Sequence, residues 1–203
     1  MKKVTREEWL NKLATQLEKV LFKKHADLIV AEKPDGKLLP TYRITCGWPA
    51  GGKKRQSVSN RIGECWSASQ SADGTHEVII SMSIDDPMRV ADILAHELVH
   101  VAVGNGNGHN KIFGALARAV LLEGKLTATV AGDEFKAKIQ PVLDKIGPYP
   151  HAALKSPRAV KEQATWLTAV CRHTGFNVRI SGKNLREFGT PICPCCQQLM
   201  NIS

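Results

Sequence analysis

Residues 92–109, DILAHELVHVAVGNGNGH, constrain this chain more than any other stretch. They contain His96-Glu97-Leu98-Val99-His100, the H-E-x-x-H pattern of zinc hydrolases. Residues four apart on a helix lie one above the other, so His96 and His100 reach the same ion. Glu97 points away from that pair, but its longer arm reaches a water at the metal. Neutral imidazoles suit Zn²⁺, and a catalytic site takes three protein ligands with one position left open. The run Gly-Asn-Gly-Asn-Gly from Gly104 favours turns and positive φ, so the helix stops there. The chain then reverses and presents His109 ahead of a second apolar run, NKIFGALARAVLLEG, read as a helix. The predicted set is His96, His100 and His109 around a catalytic zinc, with Glu97 as general base. Glu123 is the competing third ligand, the glutamate that a gluzincin draws from a following helix. It ends its run beside Gly124, where a solvated charge is equally at home. A metzincin is excluded, because its third histidine follows the second by six residues and His109 follows His100 by nine.

The helix that carries the motif is predicted independently. Asp86-Pro87 is an N-cap followed by proline at the first helical position. Val90, Leu94, Leu98 and Val101 form an apolar face, flanked by Ala91, Ala95 and Ala102. Apolar on nearly every side, this helix is expected to be buried. Ionisable residues on a buried helix need a partner, and a metal supplies one.

Around it the pattern is mixed, which predicts an α+β fold with helices packed on a small sheet. Thr5 and Glu8 make a capping box ahead of Leu10, Leu13, Leu17 and Leu21 at helical spacing. Residues 42–46 (YRITC) and 77–82 (EVIISM) read as strands, and residues 126–130 as extended. Asp133 is expected to cap a further helix through about Lys145. Gly147-Pro148-Tyr149-Pro150 stops it and opens a proline-bearing, basic stretch read as a linker. The expected division is a catalytic domain over 1–146, a linker over 147–164 and a small unit over 165–203.

That last unit is too short to fold on apolar burial alone. A zinc ribbon uses C-x₂-C, a spacer of about 15–20 residues, and a second C-x₂-C. Cys193 and Cys196 form the second pair, but Thr174 stands where Cys171 needs its partner. His173, or Cys195 in the other knuckle, is the candidate fourth ligand beside Cys171, Cys193 and Cys196 for a structural zinc. The alternative is a ribbon that has lost its metal. Cys46 and Cys65 read as small buried hydrophobes.

The net charge of +9 on 203 residues is unevenly placed. Residues 43–61 carry Arg43, Lys53, Lys54, Arg55 and Arg61 with no acid, whereas residues 73–97 hold six acids against Arg89. Residues 155–186 carry seven basic groups against Glu162 alone. A basic surface beside a metal centre suits a polyanion such as nucleic acid, and it equally serves as a solubilising surface. Trp48 and Trp66 are candidates for stacking bases beside Lys53, Lys54, Arg55 and Arg61, although tryptophan also serves as core. No stretch approaches a membrane span, and the N-terminus MKKVTREEWLNKL is amphipathic rather than signal-like. With cysteines spaced as metal ligands rather than as a disulfide framework, a soluble cytoplasmic protein is expected.

Gly63-Glu64-Cys65-Trp66, the strand after it, Leu94-Ala95-His96-Glu97-Leu98-Val99-His100, Gly108-His109 and Phe113 together resemble the SprT-like metalloproteases, especially small bacterial and phage members. The resemblance runs from about residue 60 onward, and the cysteine unit is similar to the zinc ribbon that often follows that domain. Asn110 departs from it, standing where the family usually has glycine. Membership implies a zincin-like fold, a metalloendopeptidase in which Glu97 activates a zinc-held water, and action on proteins bound or crosslinked to DNA, single-stranded or duplex. Two other readings fit the residues: a nucleic-acid-binding regulator whose histidine site is structural, and a protease indifferent to DNA.

Overall fold

The computed structural model describes residues 4–49, 61–155 and 166–202. The chain divides into two compact units, Met1–Ser156 and Pro157–Ser203. The first is mixed α+β. It opens with α1 (Arg6–Leu17), started by the expected capping box: Thr5 Oγ1 accepts from Glu8 N at 3.1 Å, and Glu8 Oε2 accepts from Thr5 N at 2.9 Å. Trp9, Leu10, Leu13 and Leu17 are fully buried, and Leu21 follows in a π-helical turn, Glu18–Phe22, that keeps the stripe pointed inward.

The sheet has three strands, β1 (Tyr42–Gly47), β2 (Gly63–Trp66) and β3 (His76–Ser81). Strand β3 is central, parallel to β1 and antiparallel to β2. Its Val78 and Ile80 are fully buried, as alternation in a β-branched strand requires. Helix α2 (Pro87–Val103) packs against β2 and β3 and is buried along most of its length. Asp86 caps it, its Oδ1 accepting from Arg89 N at 2.7 Å, and Gly104 ends it at φ +81°.

Two expectations are corrected here. Helix α3 (Lys111–Ala119) is shorter than the run to Gly124, because Leu121 turns into the left-handed region (φ 67°). The remaining residues form β4 (Leu122–Lys125), which pairs with β5 (Ala128–Ala131) in a hairpin. Pairing satisfies the backbone of Leu122–Lys125 as well as a helix would, and local pattern does not separate the two. Helix α4 (Asp133–Ile146) is capped by Gly132 without a side-chain bond, so Asp133 is its first residue rather than its cap.

Residues 147–155, expected to begin a linker, are part of the first unit. Trp9 Nε1 donates to Gly147 O at 2.9 Å, and the Tyr149 ring lies 4.7 Å from that of Trp9 and is 5% exposed. His151 Nε2 lies 2.8 Å from Met82 O, and Leu154 N donates to the same carbonyl at 2.8 Å. The prolines hold this segment extended, and extension lets it lie across the first unit.

In the second unit, β6 (Trp166–Val170) pairs with β7 (Asn177–Ser181) and with β8 (Asn201–Ile202), and α5 (Gly182–Phe188) follows β7. Its core consists of Ala169, Cys171, Cys193 and Met200, with Ile180, Cys196 and Ile202 packed against them. So small an apolar core makes the cysteines the centre of the unit.

Candidate metal centre

Helix geometry and one turn assemble the site. His96 and His100 project from one face of α2, and the glycine-rich turn brings His109 back to them. Within that turn Asn107 Nδ2 donates to Val103 O at 2.6 Å, and Asn105 Nδ2 donates to Cys65 O of β2 at 2.6 Å. Asn110 starts α3, its Oδ1 accepting from Ile112 N at 2.9 Å and Phe113 N at 3.2 Å. The residue that departs from the resemblance is thus a helix cap one position beyond His109.

The three imidazoles converge on their Nε2 atoms. His109 Nε2 lies 3.2 Å from His96 Nε2 and 3.2 Å from His100 Nε2. Tetrahedral ligation at the usual Zn–N distance separates ligand nitrogens by about 3.3 Å. The buried Phe113 ring lies beneath them, its centroid 5.0, 4.5 and 4.8 Å from those of His96, His100 and His109. Burial drives the imidazoles toward the neutral form: His96 is pulled down to about 4, His100 to about 3, and His109 downward as well. Neutral, convergent and close, they are compatible with a divalent ion such as zinc.

Glu97 stands next to them, 5% exposed. Burial pushes its carboxyl up to about 8, Glu64 adds to the rise, and Arg61 opposes it. Its place is set by Gly63 at the start of β2, where a Cβ would stand 2.5 Å from Glu97 Oε1 and 2.6 Å from Ile93 Cγ2. These groups line one cleft of about 700 Å³ between β2, α2 and the β4–β5 turn. Among the described residues β2 pairs only with β3, so its outer backbone edge faces this cleft.

A hydrogen-bond chain holds the His96 ring. His96 Nδ1 meets Thr129 Oγ1 at 2.8 Å, which leaves Nε2 for a metal. Thr129 lies on β5, and β5 is fastened to α2 by Asp92, which is 4% exposed. Asp92 Oδ2 accepts from Ala131 N at 3.0 Å, while Arg89 Nη1 donates to both Asp92 oxygens and to Thr129 O at 3.3 Å. Removing the hydroxyl with Thr129→Val is expected to weaken zinc at the histidines about 10- to 100-fold. Thr129→Ser should retain it. Competition against a chelator checks both, and unchanged affinity in Thr129→Val would show that the hydroxyl does not orient the ring.

Glu123, the competing ligand, lies in β4 opposite Val130 and outside the histidine cluster. Sequence reasoning named Gly63 only within the motif that carries the resemblance and missed Thr129 and the Arg89–Asp92 pair. Only the pair had a signal, opposite charges three apart on a helix expected to be buried.

In the second unit Cys171, Cys193 and Cys196 place their sulfurs within 4.8 Å of one another. His173, expected as fourth ligand, is not one of this group, although its Nδ1 lies 3.9 Å from Cys196 Sγ. Cys195 is exposed and outside the cluster as well.

Of the expected nucleic-acid residues, Trp48, Trp66 and Arg61 fall among the described residues. Trp48 is 39% exposed, while Trp66 is half-buried with Nε1 donating to Glu64 Oε2 at 3.1 Å. Arg61 pairs with Glu64, and Arg43 pairs with Asp73 and Glu77. Lys53, Lys54 and Arg55 lie outside the described residues. No helix among the described residues is long and apolar enough to cross a membrane. No protein-family model, curated protein or solved structure matches the chain.

Proposed function

We propose that this chain is a SprT-like zinc metalloendopeptidase with a zincin-like first unit and a zinc-ribbon-like second unit, acting on proteins bound or crosslinked to DNA. The observation that carries the reading is the meeting, in one cleft, of three neutral imidazole nitrogens at ligand spacing with a buried glutamate. His96, His100 and His109 would hold a zinc ion, which would supply Lewis acidity toward a scissile carbonyl. Glu97 takes the proton of the attacking water and delivers it to the leaving amine. Thr129 keeps the His96 ring turned so that Nε2 stays in place, and Phe113 closes the site from below. The outer edge of β2, where Asn105 already holds Cys65 O, would take an extended peptide at its remaining main-chain groups.

DNA enters as the agent that gathers substrate. The support is the resemblance, the net charge of +9 and the second unit, where Arg172, Arg179, Lys183 and Arg186 form no ion pair among the described residues. One observation favours the DNA-independent protease instead: Arg43 and Arg61, counted as basic surface, are neutralised by acids. Zinc-loaded chain incubated with a DNA-binding protein, with and without single-stranded or duplex DNA, separates the two. Cleavage that requires DNA is expected. Equal cleavage without it would leave a protease and remove the recruitment role, and no cleavage under any condition would leave a binding module.

A further inference from the structure

The second unit contains the same turn twice. Gly175 N donates to Cys171 O at 2.9 Å, and Gln197 N donates to Cys193 O at 2.9 Å. Each turn ends in the left-handed region, Gly175 at φ 71° and Gln197 at φ 60°. Such a conformation is unusual for glutamine, so the turn is imposed on that side chain by the surrounding fold. Both turns present their first and fourth residues to one point. In one turn these are Cys193 and Cys196; in the other they are Cys171 and Thr174.

The contacts across the two turns match as well. The first residue of one meets the fourth residue of the other: Cys171 Sγ lies 3.4 Å from Cys196 Sγ, and Cys193 Sγ lies 3.5 Å from Thr174 Oγ1. His173 reaches only Cys196, at 3.9 Å. Tetrahedral thiolate ligation of zinc separates sulfurs by about 3.8 Å, so both turns are spaced for one ion.

The geometry points to a metal site of three thiolates, Cys171, Cys193 and Cys196, whose fourth position lies at Thr174 and not at His173. This rests on the reading of the cysteine cluster as a metal site. A neutral hydroxyl is a weak donor beside three thiolates. The fourth position is consequently exchangeable, held by Thr174 or solvent and open to a stronger donor from outside. Three thiolates leave a bound zinc with one unit less negative charge than four would.

Cobalt(II) titration of the reduced, full-length chain tests this, because sulfur-to-cobalt absorption reports thiolate ligands and the histidine site contributes none. Wild type is expected to show the band, and His173→Ala should leave its position and intensity unchanged. Thr174→Cys should raise the intensity by about one third, as three thiolates become four. It should also retain zinc at a chelator concentration that strips the wild type. A band that shifts or disappears in His173→Ala, or stays constant in Thr174→Cys, would overturn the assignment of the fourth position. No band in any variant would overturn the metal site itself and leave the histidine centre untouched.

Discussion

Glu97→Gln is expected to cut peptide hydrolysis by about 10²- to 10⁴-fold while zinc stays on His96, His100 and His109. The amide keeps the shape of the carboxylate and loses the ability to take a proton. Nothing in the substitution touches the imidazole nitrogens, which come from the neighbouring residue and two others on separate turns. Stability should survive, because Glu97 is 5% exposed and burial already disfavours its charged form. A neutral side chain of the same size suits that place. Metal stoichiometry, a thermal melt and turnover of a protein substrate, measured on the same preparation, separate these effects. A variant that holds zinc, melts like the wild type and does not cleave assigns the proton transfer to Glu97. One that still cleaves would remove Glu97 from the chemistry and make the histidine centre structural.

Gly63→Ala should damage the same step without replacing Glu97 or any of the three histidines. The added Cβ would stand 2.5 Å from Glu97 Oε1 and 2.6 Å from Ile93 Cγ2, well inside contact distance. The carboxylate end is mobile and gives way first; Ile93, 4% exposed on α2, gives way less readily. Overpacking of this kind costs roughly 1–3 kcal/mol of stability. Displacing a catalytic group by about 1 Å costs on the order of 10²-fold in rate. Zinc affinity should change little, since the histidines lie away from Gly63. Urea unfolding, chelator competition and turnover read the three quantities separately. Wild-type turnover with a stability loss in that range would mean that Glu97 works from a position other than the one Gly63 admits.

Much of the metal centre is legible before any fold is known, because its logic is local. The four-residue repeat of an α-helix places His96 over His100, Asp86 and Gly104 bound that helix, and the glycines after it allow only a turn that returns His109. The capping box at Thr5 and the alternation in β3 are local in the same sense. The second unit is half legible. The spacing of Cys171, Cys193 and Cys196 singles out the three thiols, but not which atom stands fourth. His173 is the better ligand type, yet the backbone turn directs position 174 to the metal point.

Local pattern misleads in two places, the helical run that becomes β4 in a short hairpin and the proline-bearing stretch that packs over Trp9. The second is held by partners distant in sequence, and no local pattern encodes it. The same holds for what surrounds the ligands. Thr129 meets His96 from a hairpin 33 positions later, Gly63 makes room for Glu97 from a strand 34 positions earlier, and Asp92 ties that hairpin to α2. The sequence by itself determined which side chains meet as candidate ligands, because a helix and a turn fix the spacing of His96, His100 and His109 through backbone geometry alone. Only the tertiary structure decided what orients His96 and what limits Glu97, because hydrogen bonds and close contacts between separate elements exist only once they pack.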